Sequence, residues 1–177
     1  MTGCIGYTVT QYVLLSGCHC NCFKVREYTS RGELIREISL PTNVLNPHQT
    51  QLPSSGQLLV CHGFESDAVN RVCLLDAAAT KVVRAVASTA PSGGAAGQTE
   101  YQLTQPIRIA VSESQGVMYV ADFKNDRVLV VNLASFSVQY VLSAGGIRRP
   151  YRICIDDNGL LYVGSWETGQ VLVYNTC

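Results

Sequence analysis

Between Pro106 and Cys177 short apolar runs alternate with polar breaks on one repeated plan. In Ile107-Arg108-Ile109-Ala110-Val111 the odd positions are apolar. In a strand those positions share one face. Val117-Met118-Tyr119-Val120 is apolar throughout, which suits a strand covered on both faces. Arg127 to Leu133 is a third such run, and Phe136 to Leu142, rich in Val, Tyr and Phe, is a fourth. The breaks carry turn chemistry: Glu113-Ser114-Gln115-Gly116, Lys124-Asn125-Asp126 and Ser143-Ala144-Gly145-Gly146. The pattern predicts four short antiparallel strands per unit.

The unit recurs. Pro106 aligns with Pro150, Gly116 with Gly159, Tyr119-Val120 with Tyr162-Val163 and Val128 with Val171, at offsets of 44, 43, 43 and 43 residues. Strand-built periods of about 40–50 residues are those of propeller blades. An earlier copy spans 47–87: Gly56 to Val60 matches Gly116 to Val120, and Asn70-Arg71-Val72 matches Asp126-Arg127-Val128. Its first strand, His48 to Leu52, is too polar to stand alone as evidence for the copy. A still earlier copy spans about 5–40, with strands expected at Gln11 to Gly17, Cys22 to Tyr28 and Glu33 to Leu40. The interval from Pro47 to Pro106 is longer than the others. Its excess lies in a Ser/Gly/Ala-rich inter-blade loop over 88–104. The last copy, 150–177, holds three strands, so its outer edge is expected to be open to pairing with another chain.

The residues Pro106, Ile109, Ala110, Val111, Gly116, Tyr119, Val120, Ala121, Asp122, Asn125, Arg127 and Val128 together resemble the NHL repeat. The likeness covers 106–177 well, 47–87 fairly and the region before 40 poorly. Asp122 becomes Ser165 in the last copy, and Asn125-Asp126-Arg127 becomes Thr168-Gly169-Gln170. The resemblance implies an all-β propeller of four-stranded blades, commonly six in that family. Residues 1–177 would then be a single propeller domain or fragment of about four blades, part of a longer ring or one completed by another chain. A closed four-bladed ring would need residues 1–10 to supply the missing strand.

Composition fits a compact fold: 47% of residues are hydrophobic and 15% charged, and 177 residues can bury a sizeable core. Lys plus Arg equals Asp plus Glu, so wholesale attraction to DNA is not expected, although a local basic patch is compatible. Neither a membrane-spanning run of about 18 apolar residues nor a basic-then-apolar leader is seen, and a cytoplasmic protein is expected. The eight cysteines are then expected as thiols. Cys154, aligned with Ala110, reads as core filler, and Cys61 and Cys73 could bridge across a hairpin if the protein is exported. Cys18-His19-Cys20-Asn21-Cys22 offers soft ligands, but alternate strand residues point one way whereas zinc takes a tetrahedron. No metal or cofactor is assigned.

One NHL-related group is enzymatic: peptide-amidating lyases with a zinc held by histidines from several blades. The three histidines here, His19, His48 and His62, do not recur with the period: Ile107 and Tyr151 stand where His48 does. They read as isolated loop residues, and a lyase remains a distant alternative. Gly93-Gly94 is not followed by the Lys-Ser/Thr of a phosphate loop, and Asp156-Asp157-Asn158-Gly159 reads as a turn without a calcium-loop pattern.

Strand alternation places the loop after strand two and the linker between blades on one face. That face would carry Phe123, Lys124, Arg148, Arg149, Tyr151, Arg152 and Trp166, the candidate partner-binding residues. Arg, Trp and Tyr are the residue types that anchor protein interfaces. The first expectation is therefore a non-enzymatic protein-binding module. The alternative is single-stranded RNA binding, with the cations on phosphates and the aromatics on bases. Asp122 and Arg127 are expected to pair across their hairpin. Arg148 and Arg149 have no evident partner in the sequence.

Overall fold

The computed structural model describes residues 5–8, 11–17, 23–51, 53–63, 70–87, 102–143 and 146–176. They form fifteen strands in four antiparallel sheets. The first sheet holds β1 (Ile5–Thr8), β2 (Gln11–Gly17), β3 (Phe23–Thr29) and β4 (Leu34–Ser39). The second holds β5 (Pro47–Gln51), β6 (Leu58–His62), β7 (Arg71–Leu75) and β8 (Val82–Ala87). The third holds β9 (Pro106–Ser112), β10 (Val117–Asp122), β11 (Arg127–Asn132) and β12 (Val138–Leu142). The fourth holds β13 (Pro150–Ile155), β14 (Leu160–Ser165) and β15 (Val171–Asn175). Every sheet runs in simple up-and-down order, and the first strands of successive sheets lie against one another. This is the blade plan of a β-propeller. Among the described residues no helix is long and apolar enough to cross a membrane.

The core is three apolar layers between four sheets. Leu58 and Val60 of β6 pack toward the first sheet with Val25, while Leu59 and Cys61 pack toward the third. In β10, Met118 and Val120 face the second sheet, and Val117 and Tyr119 face the fourth. Both strands are fully buried, which is why they read as unbroken apolar runs. One residue of each linker closes its layer: Val44, Leu103 and Ile147 are all buried. Each stands three residues before the proline that opens the next sheet.

The first strand expected after Pro47 is present as β5, with its polar side chains accommodated inside. Gln49 is buried, and its Oε1 accepts the Ile109 amide of the next sheet at 2.7 Å. β1 pairs with β2 within its own sheet and does not complete the last one. Several expectations need correction. Phe136 lies in the turn before β12, at φ 60°, rather than in the strand. His48 and His62 are strand residues, not loop residues. Cys61 and Cys73 cannot bridge: Cys61 pairs with Val72 and Cys73 with Val60, so alternation sends the two thiols into different core layers. Both are thiols rather than disulfides, as is Cys154. Cys154 is exposed, not core filler, because no described sheet covers that face of the fourth sheet. Cys18 to Cys22 with His19, the loop 64–69 and most of the inter-blade loop, 88–101, lie outside the described residues.

Candidate partner-binding face

One device is repeated at the entrance to each of the last three sheets. The residue before each opening proline has positive φ: Asn46 at 47°, Gln105 at 58° and Arg149 at 45°. A following proline disfavours the right-handed helical region there. The carbonyl of each accepts the amide of the residue just past strand two of the same sheet. Gly63 donates to Asn46 at 3.2 Å, Phe123 to Gln105 at 3.4 Å and Trp166 to Arg149 at 3.0 Å. A side chain from the preceding sheet pins the amide of the same residue. Asn70 Oδ1 takes the Gln105 N–H at 3.0 Å, and Asp126 Oδ1 takes the Arg149 N–H at 2.7 Å. Backbone positions repeated three times thus set Phe123 and Trp166 beside the linkers. The side chains chosen there are what differ between sheets.

Below this rim sits a second repeated position, the last residue of strand two: His62, Asp122 and Ser165, all buried. Asp122 has no exposed surface and accepts the Thr104 amide, Asn125 Nδ2 and Arg127 Nε, each at 2.8 Å. The expected Asp122–Arg127 pairing is therefore present. Burial pushes the Asp122 carboxyl upward from the ordinary aspartate range, while Asn125, Thr104 and Arg127 pull against that rise. Ser165 does a related task with a hydroxyl: Oγ donates to the Arg148 carbonyl at 2.5 Å and accepts the Arg148 amide at 3.3 Å. His62 Nε2 lies 3.3 Å from the Cys73 thiol, which burial raises to about 11. A thiol held there is mostly protonated at neutral pH and is a poor nucleophile. His48 Nε2 is engaged by the Gly63 carbonyl at 2.8 Å. Among the described residues no group of three or more His, Cys, Asp or Glu is placed to hold a metal ion.

On the rim itself the side chains converge. The Tyr151 and Trp166 rings lie 5.1 Å apart at a tilt of 51°, and Phe123 meets Tyr151 edge-on at 6.3 Å. Three guanidiniums lie over these rings. Arg152 is 5.0 Å and Arg108 5.8 Å from the Tyr151 centroid, and Arg149 is 6.0 Å from that of Phe123. Such contacts are worth about 0.5–1 kcal/mol at exposed sites and more where water is excluded. Trp166 remains 62% exposed, an unusual state for the largest apolar side chain.

The structure thus brings Phe123, Arg149, Tyr151, Arg152 and Trp166 into one cluster. Lys124 sits at its edge, where its amide donates to the Thr104 carbonyl at 3.2 Å. Arg148 and Arg149 do have acidic partners. Arg148 Nη1 meets Asp126 at 3.1 Å, and Arg149 Nε lies 3.7 Å from Glu167. Those pairs cross from one sheet or loop to another, so sequence spacing hid them. Arg108 was not among the candidates. Its Nη1 donates to the carbonyls of His48, at 3.2 Å, and Ile107, at 3.0 Å. The alignment of Pro106-Ile107-Arg108 with Pro150-Tyr151-Arg152 held the signal, since the two arginines are register-equivalent. The opposite end of the molecule has a cleft of about 410 Å³ between Val111–Gln115 and Ile155–Gly159. The Glu113 carboxylate there is spent on the Ser54 amide, at 2.7 Å, and the Ser54 hydroxyl.

No family model and no curated protein matches this chain. Solved structures do. A protein of unknown function from Bacteroides caccae has a TM-score of 0.66 at 18% identity, covering 94% of this chain and 60% of its own length. A nidogen–laminin complex scores 0.66 at 14% identity, covering 94% of this chain and 55% of its own. Kuenenia stuttgartiensis hydrazine synthase scores 0.66 at 12% identity, covering 98% and 57%. All have propeller-type folds, and this chain spans little more than half the length of each. At these identities the likeness establishes architecture alone: the chain folds as blades of a β-propeller.

Proposed function

We propose that the chain is an NHL-type propeller segment acting as a non-enzymatic interaction module, which binds a protein partner through the rim around Tyr151 and Trp166. One observation carries this reading: an exposed tryptophan and a tyrosine are held together by repeated backbone hydrogen bonds and are flanked by arginines. Trp, Tyr and Arg are the dominant anchors of protein interfaces because they offer large contact area with few rotatable bonds. The nidogen–laminin structure is, by its name, an assembly of proteins on a similar fold, which agrees with this use. The whole 177-residue chain would serve as one such unit, within a larger ring or beside another chain.

RNA binding is the weaker reading. A phosphate track needs several cations free to replace counterions. Here Asp126 and Glu167 hold Arg148 and Arg149 and place negative charge beside the rings. The discriminating experiment screens a random peptide library and labelled oligouridine RNA on wild type and on Trp166→Ala. Enriched peptides that fail to bind Trp166→Ala support the protein reading. Oligouridine binding that weakens with salt, without such peptides, replaces it with the RNA reading.

A further inference from the structure

Resting on that protein-binding reading, we propose that the partner segment is acidic: an Asp or Glu carboxylate meets Arg152, and an adjacent aliphatic or proline residue covers Trp166. Arg152 lies in β13 and Trp166 in the turn that follows β14, its neighbour in the fourth sheet, with Tyr151 between them. The Tyr151 ring holds the Arg152 guanidinium in place at 5.0 Å. Among the described residues no carboxylate is within ion-pair distance of Arg152, which sets it apart from its neighbours. Arg148 is matched by Asp126, and Arg149 by Glu167. Among the described residues Arg152 is thus an exposed, oriented cation with no carboxylate partner, on the face of the fourth sheet that no described sheet covers.

The aromatic partner is similarly incomplete. Trp166 is covered on one side by Tyr151 and is 62% exposed. Its backbone amide is used by Arg149, but its indole N–H meets no protein acceptor among the described residues. A peptide supplies both missing groups, an apolar side chain for the ring and an oxygen for the indole donor. A polyanion does not fit as well. A single unmatched guanidinium complements a single carboxylate, whereas successive phosphates would run into Asp126 and Glu167. Charge complementarity of this kind governs specificity and association rate more than raw affinity.

The test uses the intact chain and synthetic fluorescent peptides taken from the library screen. The expected enriched sequences carry Asp or Glu beside Val, Leu, Ile or Pro. Replacing that Asp or Glu by Asn or Gln weakens binding about tenfold, and so does Arg152→Gln. The two changes together cost little more than either alone, because both remove the same pair. Arg152→Glu restores binding to a peptide in which Lys replaces the acid, an outcome that a merely structural Arg152 would not produce. Enriched peptides that are neutral, or that bind Arg152→Gln as wild type, overturn this inference and leave the protein-binding reading intact. Oligouridine binding with no peptide binding overturns both.

Discussion

The third and fourth sheets follow one plan and differ in what covers them. Ala110, Tyr119, Val128 and Val130 of the third sheet are register-equivalent to Cys154, Tyr162, Val171 and Val173 of the fourth. The first set is buried under the fourth sheet, with Val128 and Val130 having no exposed surface. In the second set, Val171 is 65% and Val173 54% exposed. The amino-acid types are nearly the same. An apolar strand pattern therefore states what a sheet is built to pack against, and the surroundings decide whether it is buried. The polar positions differ more. Asp122, Asp126 and Arg127 become Ser165, Gly169 and Gln170, so the side-chain latches of the third sheet are simplified in the fourth.

The largest effect should come from the buried end of strand two. Asp122→Ala strips three donors of their acceptor and leaves Arg127 without its carboxylate. Arg127 keeps some contact with solvent, so the loss should sit near the lower end for broken buried pairs, about 3 kcal/mol. Ser165→Ala removes one hydroxyl bonded to Arg148, and about 1 kcal/mol is expected. Urea denaturation of both variants measures the gap. Equal losses would mean that the two positions are equivalent in energy as well as in register.

Cavity formation gives the second contrast. Val130→Ala should cost about 2 kcal/mol, since two methyl groups leave a packed layer. Val173→Ala should change stability by no more than about 0.5 kcal/mol, as is usual for exposed sites. Val173→Thr should likewise be tolerated, whereas Val130→Thr buries a hydroxyl that has replaced a methyl group. A large loss at Val173 would show that the exposed face is covered in solution.

The third contrast is the latch between sheets. Asp126 sits at φ 52° and uses Oδ1 on the Arg149 amide, while Gly169 occupies the same register position at φ 68° without a side chain. Asp126→Gly should lose about 1 kcal/mol through the missing hydrogen bond, with backbone strain relieved. Asp126→Ala should lose more, because alanine is strained at that φ. Thermal unfolding of the two variants tests the order, and a reversed order would sink the latch.

The period, the strand directions and the gathering of Phe123, Arg149, Tyr151, Arg152 and Trp166 on one rim were legible in the sequence. They depend on side-chain alternation and on local turns, which neighbours in the chain determine. What escaped depends on contacts between sheets. The Arg148–Asp126 pair spans 22 residues and Ser54–Glu113 spans 59, with no local pattern linking either. β5 carries little strand signal of its own because the partner of its buried Gln49, the Ile109 amide, is 60 residues away. An arginine among alternating apolar residues reads as solvent-facing, yet Arg108 is buried beneath Tyr151. The misread cysteines came from register: one residue of offset turns a cross-strand pair into two thiols in separate layers.

The smallest effect compares the turns that open strand two. Gly116 and Gly159 donate to Glu113 and Asp156 carbonyls, both at 3.1 Å, so the two turns match in backbone. Their carboxylates do not. Glu113 reaches the second sheet, where the Ser54 hydroxyl and then the Ser54 amide hold its carboxyl below the usual range. Asp156 stays in its own turn, lowered chiefly by the Leu160 amide and also by Asn158 and Tyr162. In both cases the folded value lies below the ordinary one, 4.5 for Glu113 and 3.8 for Asp156. The stability they contribute is therefore present above those values and is lost as pH falls through the lowered ones. Asp122, raised by burial, has the opposite sign: its contribution is greatest below 3.8 and is lost as pH rises through its folded value. Urea midpoints measured between about pH 6 and pH 3 should fall with acid. The fall should be shallower in both Glu113→Gln and Asp156→Asn. Neutral-pH stability should separate the two turns. Glu113→Gln weakens a tie between sheets, whereas Asp156→Asn keeps an oxygen that can still accept the Leu160 amide. An unchanged acid slope in both variants would assign the acid response to other carboxylates, and equal neutral-pH losses would erase the distinction between an inter-sheet tie and a local one.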